Sequence, residues 1–155
     1  MTFDEVVAQS LAPETLQSVF YAYQQAQNGG DVAAQDQLPM RTMAPLLPNV
    51  TLMEHVDDDT IIYRIAGEAI VARLGFNPTG QNFLDLIAPS VRAETALTNK
   101  TGLDERCGHY AVYENQYESG RRMISESLML PMRKTAGGRV AFIFGYHVHH
   151  KATDI

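Results

Sequence analysis

The chain has 155 residues, 45% of them hydrophobic and 19% charged, and a formal net charge of -6. This fits one domain with a sizeable core and excludes a disordered chain. The acidic balance argues against a nucleic-acid partner and against an anionic membrane surface, since both need a basic face. The single cysteine, Cys107, cannot form an internal disulfide and gives no sign of an oxidising compartment. The opening "MTFDEVVAQSLAPE" lacks the regions of a signal peptide, and no apolar run reaches membrane-span length. A cytoplasmic protein is expected.

The first predicted element is a helix in "APETLQSVFYAYQQAQNGG". Pro13 suits its first turn and Glu14 the positive helix end. Leu16, Val19, Phe20 and Tyr23 recur at helical spacing and form one apolar face. That face needs a partner, either the domain behind it or a second subunit. Gly29 and Gly30 stop the helix. "GGDV" lacks the Glu-Phe half of the GGDEF cyclase signature. Pro39, Pro45 and Pro48 then predict an irregular connector. "VTLMEHV" and "TIIYRIA" predict two strands joined by the charged turn Asp57 to Asp59, an antiparallel hairpin.

"GEAIVARLG" predicts a short helix ended by Gly75, "QNFLDLI" a helical turn, and "APSVRAETALTNKTGL" a longer helix. Three strands follow in "GHYAVYENQYE", "RRMISESLMLPMR" and "RVAFIFGYHVHH", separated by Ser119-Gly120 and by "KTAGG". Their tight turns predict antiparallel neighbours throughout. The predicted fold class is α+β: a five-stranded antiparallel sheet, helices inserted between strands two and three, and an N-terminal helix. Gly67, Gly75 and Gly80 do not follow the spacing of a dinucleotide or P-loop fingerprint, and an antiparallel hairpin is not a Rossmann unit.

This order, with these residues, resembles the PAS sensor-domain superfamily over roughly Leu46 to Val148. The carriers are "IIYRIAGEAIVARLGF", ending in the pair Gly75-Phe76, and Gly80 opening "TGQNFLDLI". With the late "LMLPM" and the upstream Leu38-Pro39-Met40-Arg41, the chain is similar to a bacterial, largely alphaproteobacterial, stand-alone PAS-like family of undefined role. The resemblance implies a small cavity between helices and inner sheet face, and dimerisation through a helix before the core. The expected organisation is a helical extension over 1–37 serving dimerisation, the PAS-like domain over 38–150, and a tail over 151–155.

Light-sensing PAS domains carry "GRNCRFLQ", whose cysteine attacks flavin. Gly80-Gln81-Asn82-Phe83-Leu84 matches it with Phe83 in the thiol's place, which rules out photoadduct chemistry on that alignment. Haem needs an axial ligand, and the long helix holds no histidine; His109 only follows it. His147 and His149 share a strand side, but nothing in sequence completes a metal site with them, and a solvated strand end is the favoured reading. Cys107 with His109, and Glu114 with Glu126, lack a catalytic motif context. Glu126 stands on the apolar face shared by Ile124, Leu128 and Leu130. It crosses to a ligand, pairs with a base such as Arg64 or Arg73, or sits at a sheet edge.

The leading reading is a non-catalytic sensory or signalling domain that binds a small ligand, a protein partner, or both. No cofactor is assigned. The expected cavity walls come first from Ile65, Ile70, Leu74, Phe83 and Leu97. The late strands add Tyr110, Glu126, Leu128 and Phe142. Strand parity decides which of these face inward. The expected partners are a small-molecule ligand, a second copy of the chain through the N-terminal helix, and a separate signalling protein, without nucleic acid or membrane. The alternatives are a small enzyme or ligand carrier, with Tyr110, Glu114 and His109 converging on one pocket, and a structural dimerisation module with a filled core.

Overall fold

Long alternating strands give this protein a sheet whose two faces differ in chemistry. The computed structural model describes residues 2–116 and 122–151. The Ser119-Gly120 turn and residues 152–155 of the expected tail lie outside them. The elements, in chain order, are α1 (Phe3–Gln9), α2 (Pro13–Gln27), β1 (Ala33–Ala34), β2 (Val50–Asp57), β3 (Thr60–Ala66) and α3 (Glu68–Leu74). Then come α4 (Phe83–Leu86), α5 (Arg92–Glu105), β4 (His109–Gln116), β5 (Arg122–Arg133) and β6 (Val140–Lys151). Short 3-10 turns at Ala44–Asn49 and Pro89–Val91 join the connector to β2 and open α5.

The α+β prediction holds, with two additions. The first is α1. Its start is a capping box: the Thr2 hydroxyl accepts from the Glu5 amide at 3.2 Å, and the Thr2 amide donates to the Glu5 carboxylate at 2.6 Å. The second is β1, which pairs in parallel with Met132 and Arg133 of β5. The expectation of wholly antiparallel neighbours is corrected there. A two-residue strand leaves no periodicity to read, and the chain between β1 and β5 is long enough to cross over. The other pairings are antiparallel, in the order β3-β2-β6-β5, with β4 on the far side of β5.

The outer sheet face carries the main core. Leu128, Leu130 and Met132 of β5 and Phe142, Phe144 and Tyr146 of β6 pack with α1 and α2. The apolar stripe of α2 is buried there, with Leu16 and Val19 each 1% exposed. The chain's own sheet is therefore the partner of that stripe. Tyr23 adds a polar anchor, its hydroxyl donating to the Pro131 carbonyl at 2.5 Å. Burial pushes that hydroxyl up to about 12. The inner face packs Met53, Ile61, Tyr63 and Ile143 against Leu84 and Leu103 of α4 and α5.

Gly67 shows how the β3–α3 junction depends on its sequence. A side chain there would meet the Leu47 and Pro48 carbonyl oxygens at 2.3 Å, so only glycine lets the connector pass. α3 then ends at Gly75, in the left-handed region at φ 80°. The next stretch lies along β3. The Gly80 amide donates to the Tyr63 carbonyl at 2.8 Å, and the Tyr63 amide to the Gln81 carbonyl at 3.0 Å. Asn82 caps α4 by accepting from the Leu84 amide, and also accepts from the Ile61 amide, at 3.1 and 3.0 Å. These bonds fix Phe83 over the inner face.

Candidate functional site: a cavity on the inner sheet face

A cavity of about 390 Å³ lies between the inner face and helices α3 to α5. Its apolar wall is Met53 and Met129 from the sheet, Ile70 and Leu74 from α3, and Phe83 from α4. Phe83 meets Tyr63 edge to face, with ring centroids 5.8 Å apart. α5 presents Glu94, Thr95, Thr98 and Asn99, and Arg73 comes from the end of α3.

The floor is a polar seam across β4, β5, β6 and β2. The Tyr113 hydroxyl lies 3.2 Å from Ser127 Oγ, which lies 2.9 Å from His147 Nδ1. His147 Nε2 lies 3.0 Å from Thr51 Oγ1. A neutral imidazole donates through one nitrogen and accepts through the other, so both hydroxyl neighbours are satisfied. Gly145 makes room for the seam: a side chain there would fall 2.3 Å from Thr51 Oγ1 and 2.8 Å from His147 Nε2. Burial first, then the Arg73 charge and His149, push the His147 imidazole down to about 3. The same first two causes, then His150, push His149 down to about 4. His149 Nδ1 lies 2.6 Å from Ser125 Oγ.

Ser127 and His147 are a hydroxyl and an imidazole in hydrogen-bond reach. A general base works best with a pKa near the operating pH. An imidazole pushed down to about 3 is a poor proton acceptor at neutral pH, while its bond to Ser127 stays in place.

Of the expected wall, Ile70, Leu74 and Phe83 line the cavity. Leu97 does not; it points away on α5 and is 65% exposed. Ile65 is turned to the other face by a bulge. Leu52 pairs with Ile65 but Met53 with Tyr63, so one extra residue on β3 puts Tyr63 inward and Ile65 outward. Tyr110, Glu126, Leu128 and Phe142 also lie on the outer face. The more apolar side of β5 packs under α1 and α2, and the cavity receives its Ser125, Ser127 and Met129 side.

Glu126 is 1% exposed and is held by its neighbours. The Tyr110 hydroxyl donates to one carboxylate oxygen at 2.5 Å, and His150 Nε2 lies 2.8 Å from the other. Burial pushes this carboxyl up, but the bonds from Tyr110, Ser10 and His150 and the His150 charge outweigh it. The carboxyl is held below the usual range. Burial and the bond to Glu126 raise the Tyr110 hydroxyl. Arg64 pairs instead with Glu54, at 3.1 Å.

The Tyr110, Glu114 and His109 constellation does not assemble. Neighbours along β4 alternate sides, so His109 lines the cavity while Tyr110 bonds Glu126 on the other face. His147 is no solvated strand end, because it is half-buried and hydrogen-bonded on both ring nitrogens in the seam. Among the described residues no cluster of metal-ligating side chains forms. Cys107 is exposed beyond α5.

A family model described as the PAS domain matches residues 11–148. The chain belongs to the PAS domain family. PAS domains are a sensory domain family, and this one keeps their architecture. Its solved likenesses include a light-oxygen-voltage domain studied with a flavin analogue, at 15% identity and a TM-score of 0.53. That match covers 73% of this chain and 84% of the other. The dark-state blue-light photoreceptor Aureochrome1 LOV matches at 13% identity and a TM-score of 0.50, covering 74% and 83%. The photo-excited blue-light photoreceptor Vivid is 20% identical over 64% of this chain and 76% of its own, with a TM-score of 0.46. Such identities show the fold alone. Among curated proteins no sequence matches this chain. Phe83, expected to stand in place of a reactive thiol, lines the cavity. No helix among the described residues is long and apolar enough to cross a membrane.

Proposed function

We propose that this PAS domain is a non-catalytic, cytoplasmic sensory module that binds a small molecule in the inner cavity and signals through the N-terminal helices. The observation that carries this reading is the cavity with its polar seam. One ligand contact there reaches four strands at once. The same strands hold Glu126 and the core under α1 and α2 on their other side. A ligand that favours one strand packing over another would bias the docking of residues 1–37. The signal would then pass to a separate signalling protein. A second copy of the chain would meet the outward side of α2, where Tyr21 is 64% exposed, since the apolar stripe is already covered.

The low basicity of His147 favours this reading over the enzyme alternative, and the cavity volume favours it over a module with a filled core. The test is native mass spectrometry of the gently purified full chain. A bound small molecule is expected, and its loss is expected in Ala111→Trp, which fills the cavity. A ligand-free protein whose cavity resonances also fail to respond to small aromatic probes overturns the proposal.

A further inference from the structure

The bulge that turns Ile65 outward helps to build a second hollow, on the outer face at the β2–β3 end of the sheet. It holds about 440 Å³, with no residue of α1 or α2 in its lining. We propose that it is a second ligand site, separate from the inner cavity, for an apolar amine whose ammonium group meets Glu68.

The floor is Val50, Leu52 and Phe144, all buried. Met43 and Leu47 form one wall and Ile65 the other. Ile65 is 46% exposed, and Met40, also in the lining, is 54% exposed. Exposed apolar side chains gathered around one hollow mark a binding surface. The unbranched Met40 and Met43 side chains adapt to the shape of a guest. The volume suits a ring with a short chain.

The charge of the lining selects the head group. The inner cavity mixes Arg73, Glu94 and His109, whereas Glu68 is the one ionisable side chain among the described residues lining the outer hollow. Among the described residues its carboxylate makes no ion pair or hydrogen bond. Arg64, earlier on β3, is taken by Glu54 at 3.1 Å, and Arg41, next to Met40, is outside the lining. The other polar groups at that end are the Gln35 amide and the Leu47 and Pro48 carbonyl oxygens around Gly67. Carboxylate and carbonyl oxygens only accept, and an ammonium group only donates. Glu68 is exposed, so its charge adds modestly to an affinity that comes mainly from the apolar bed.

The experiment is an NMR titration of the full chain, labelled at its methionine methyl groups, with phenylbutylamine, phenylbutanol and phenylbutyrate. These share a body and differ in charge. Met40 and Met43 report the outer hollow, and Met53 and Met129 the inner cavity. All three probes are expected to move Met40 and Met43, with the amine about twofold to fivefold tighter than the alcohol and the acid weakest. Glu68→Gln is expected to remove the preference for the amine while keeping alcohol binding. Ala44→Trp, which fills the hollow, is expected to abolish the Met40 and Met43 shifts. Unchanged Met53 and Met129 signals in that variant show that it is folded. Equal binding of amine and alcohol, or a preference for the acid, overturns the amine class. Shifts confined to Met53 and Met129 overturn the outer site and leave the inner reading intact. Met40 and Met43 signals that respond to no probe, or to protein concentration alone as a second copy covers the face, overturn the proposal as well.

Discussion

The two faces of one sheet solve opposite problems here. Under α1 and α2 the outer face is filled: large apolar side chains of β5 and β6 meet the stripe of α2, and the one carboxylate among them has its bonds satisfied. The inner face is left partly open, with small and hydroxyl-bearing residues, Ser127, Thr51, Ala111 and Gly145, lining or flooring a cavity. Stability and recognition are thus divided between alternate residues of the same strands. A face optimised for packing has no room for a ligand, and a face that keeps room must satisfy its polar groups by itself.

Substitutions that act on one face only would sharpen this division. The largest effect is expected from Phe144→Ala on the outer face. It should lower stability by about 3–5 kcal/mol in urea unfolding, as for other buried aromatics. A loss below ~1 kcal/mol would show that the outer face is not the main core. Glu126→Ala comes next, at about 1–3 kcal/mol, because it strips the Tyr110 hydroxyl and His150 of their buried acceptor. Glu126→Gln should recover part of this, since an amide oxygen still accepts from Tyr110.

Acid should act on both faces, in different windows. His147 and His149 have folded values of about 3 and about 4, below the unfolded histidine value of about 6.5. The unfolded chain then binds more protons than the folded one. The stability contributed by their neutral forms is present above pH ~6.5 and is lost as pH falls towards 3, by at most ~1.4 kcal/mol per unit for each ring. Glu126 has a lowered folded value as well, so its contribution is lost at lower pH, below the ordinary carboxylate range. Unfolding curves between pH 7 and 4 should therefore fall with acid, and His147→Gln should flatten the upper part of that fall. An unchanged slope in the variant would show that the neutral His147 imidazole does not contribute to this acid sensitivity.

The smallest effect is expected from Ser127→Ala. It removes the middle of the seam beside an open cavity, where water can replace the lost partner, and should cost ~1 kcal/mol or less. Its imidazole nitrogen shifts should nonetheless move at His147. A stability loss as large as that of Phe144→Ala would erase the contrast between the faces.

The sequence by itself determined the element order apart from α1 and β1, the hairpin, the three late strands and the family. These follow from local patterns: alternation in the strands, prolines that bar helix, and glycines at helix ends. α1 was not predicted: Thr2 and Glu5 spell a capping box, but a seven-residue helix carries little periodic signal. Tertiary structure decided which side of each strand is inside. Alternation separates two faces without saying which one a cavity uses, so the apolar Glu126 and Leu128 side reads as a cavity wall until α1 and α2 are seen covering it. The bulge that parts Tyr63 from Ile65 is a matter of pairing between strands, and a single strand's sequence does not display it. The seam of Tyr113, Ser127, His147 and Thr51 joins residues far apart in the chain, and only the register of four strands brings them together.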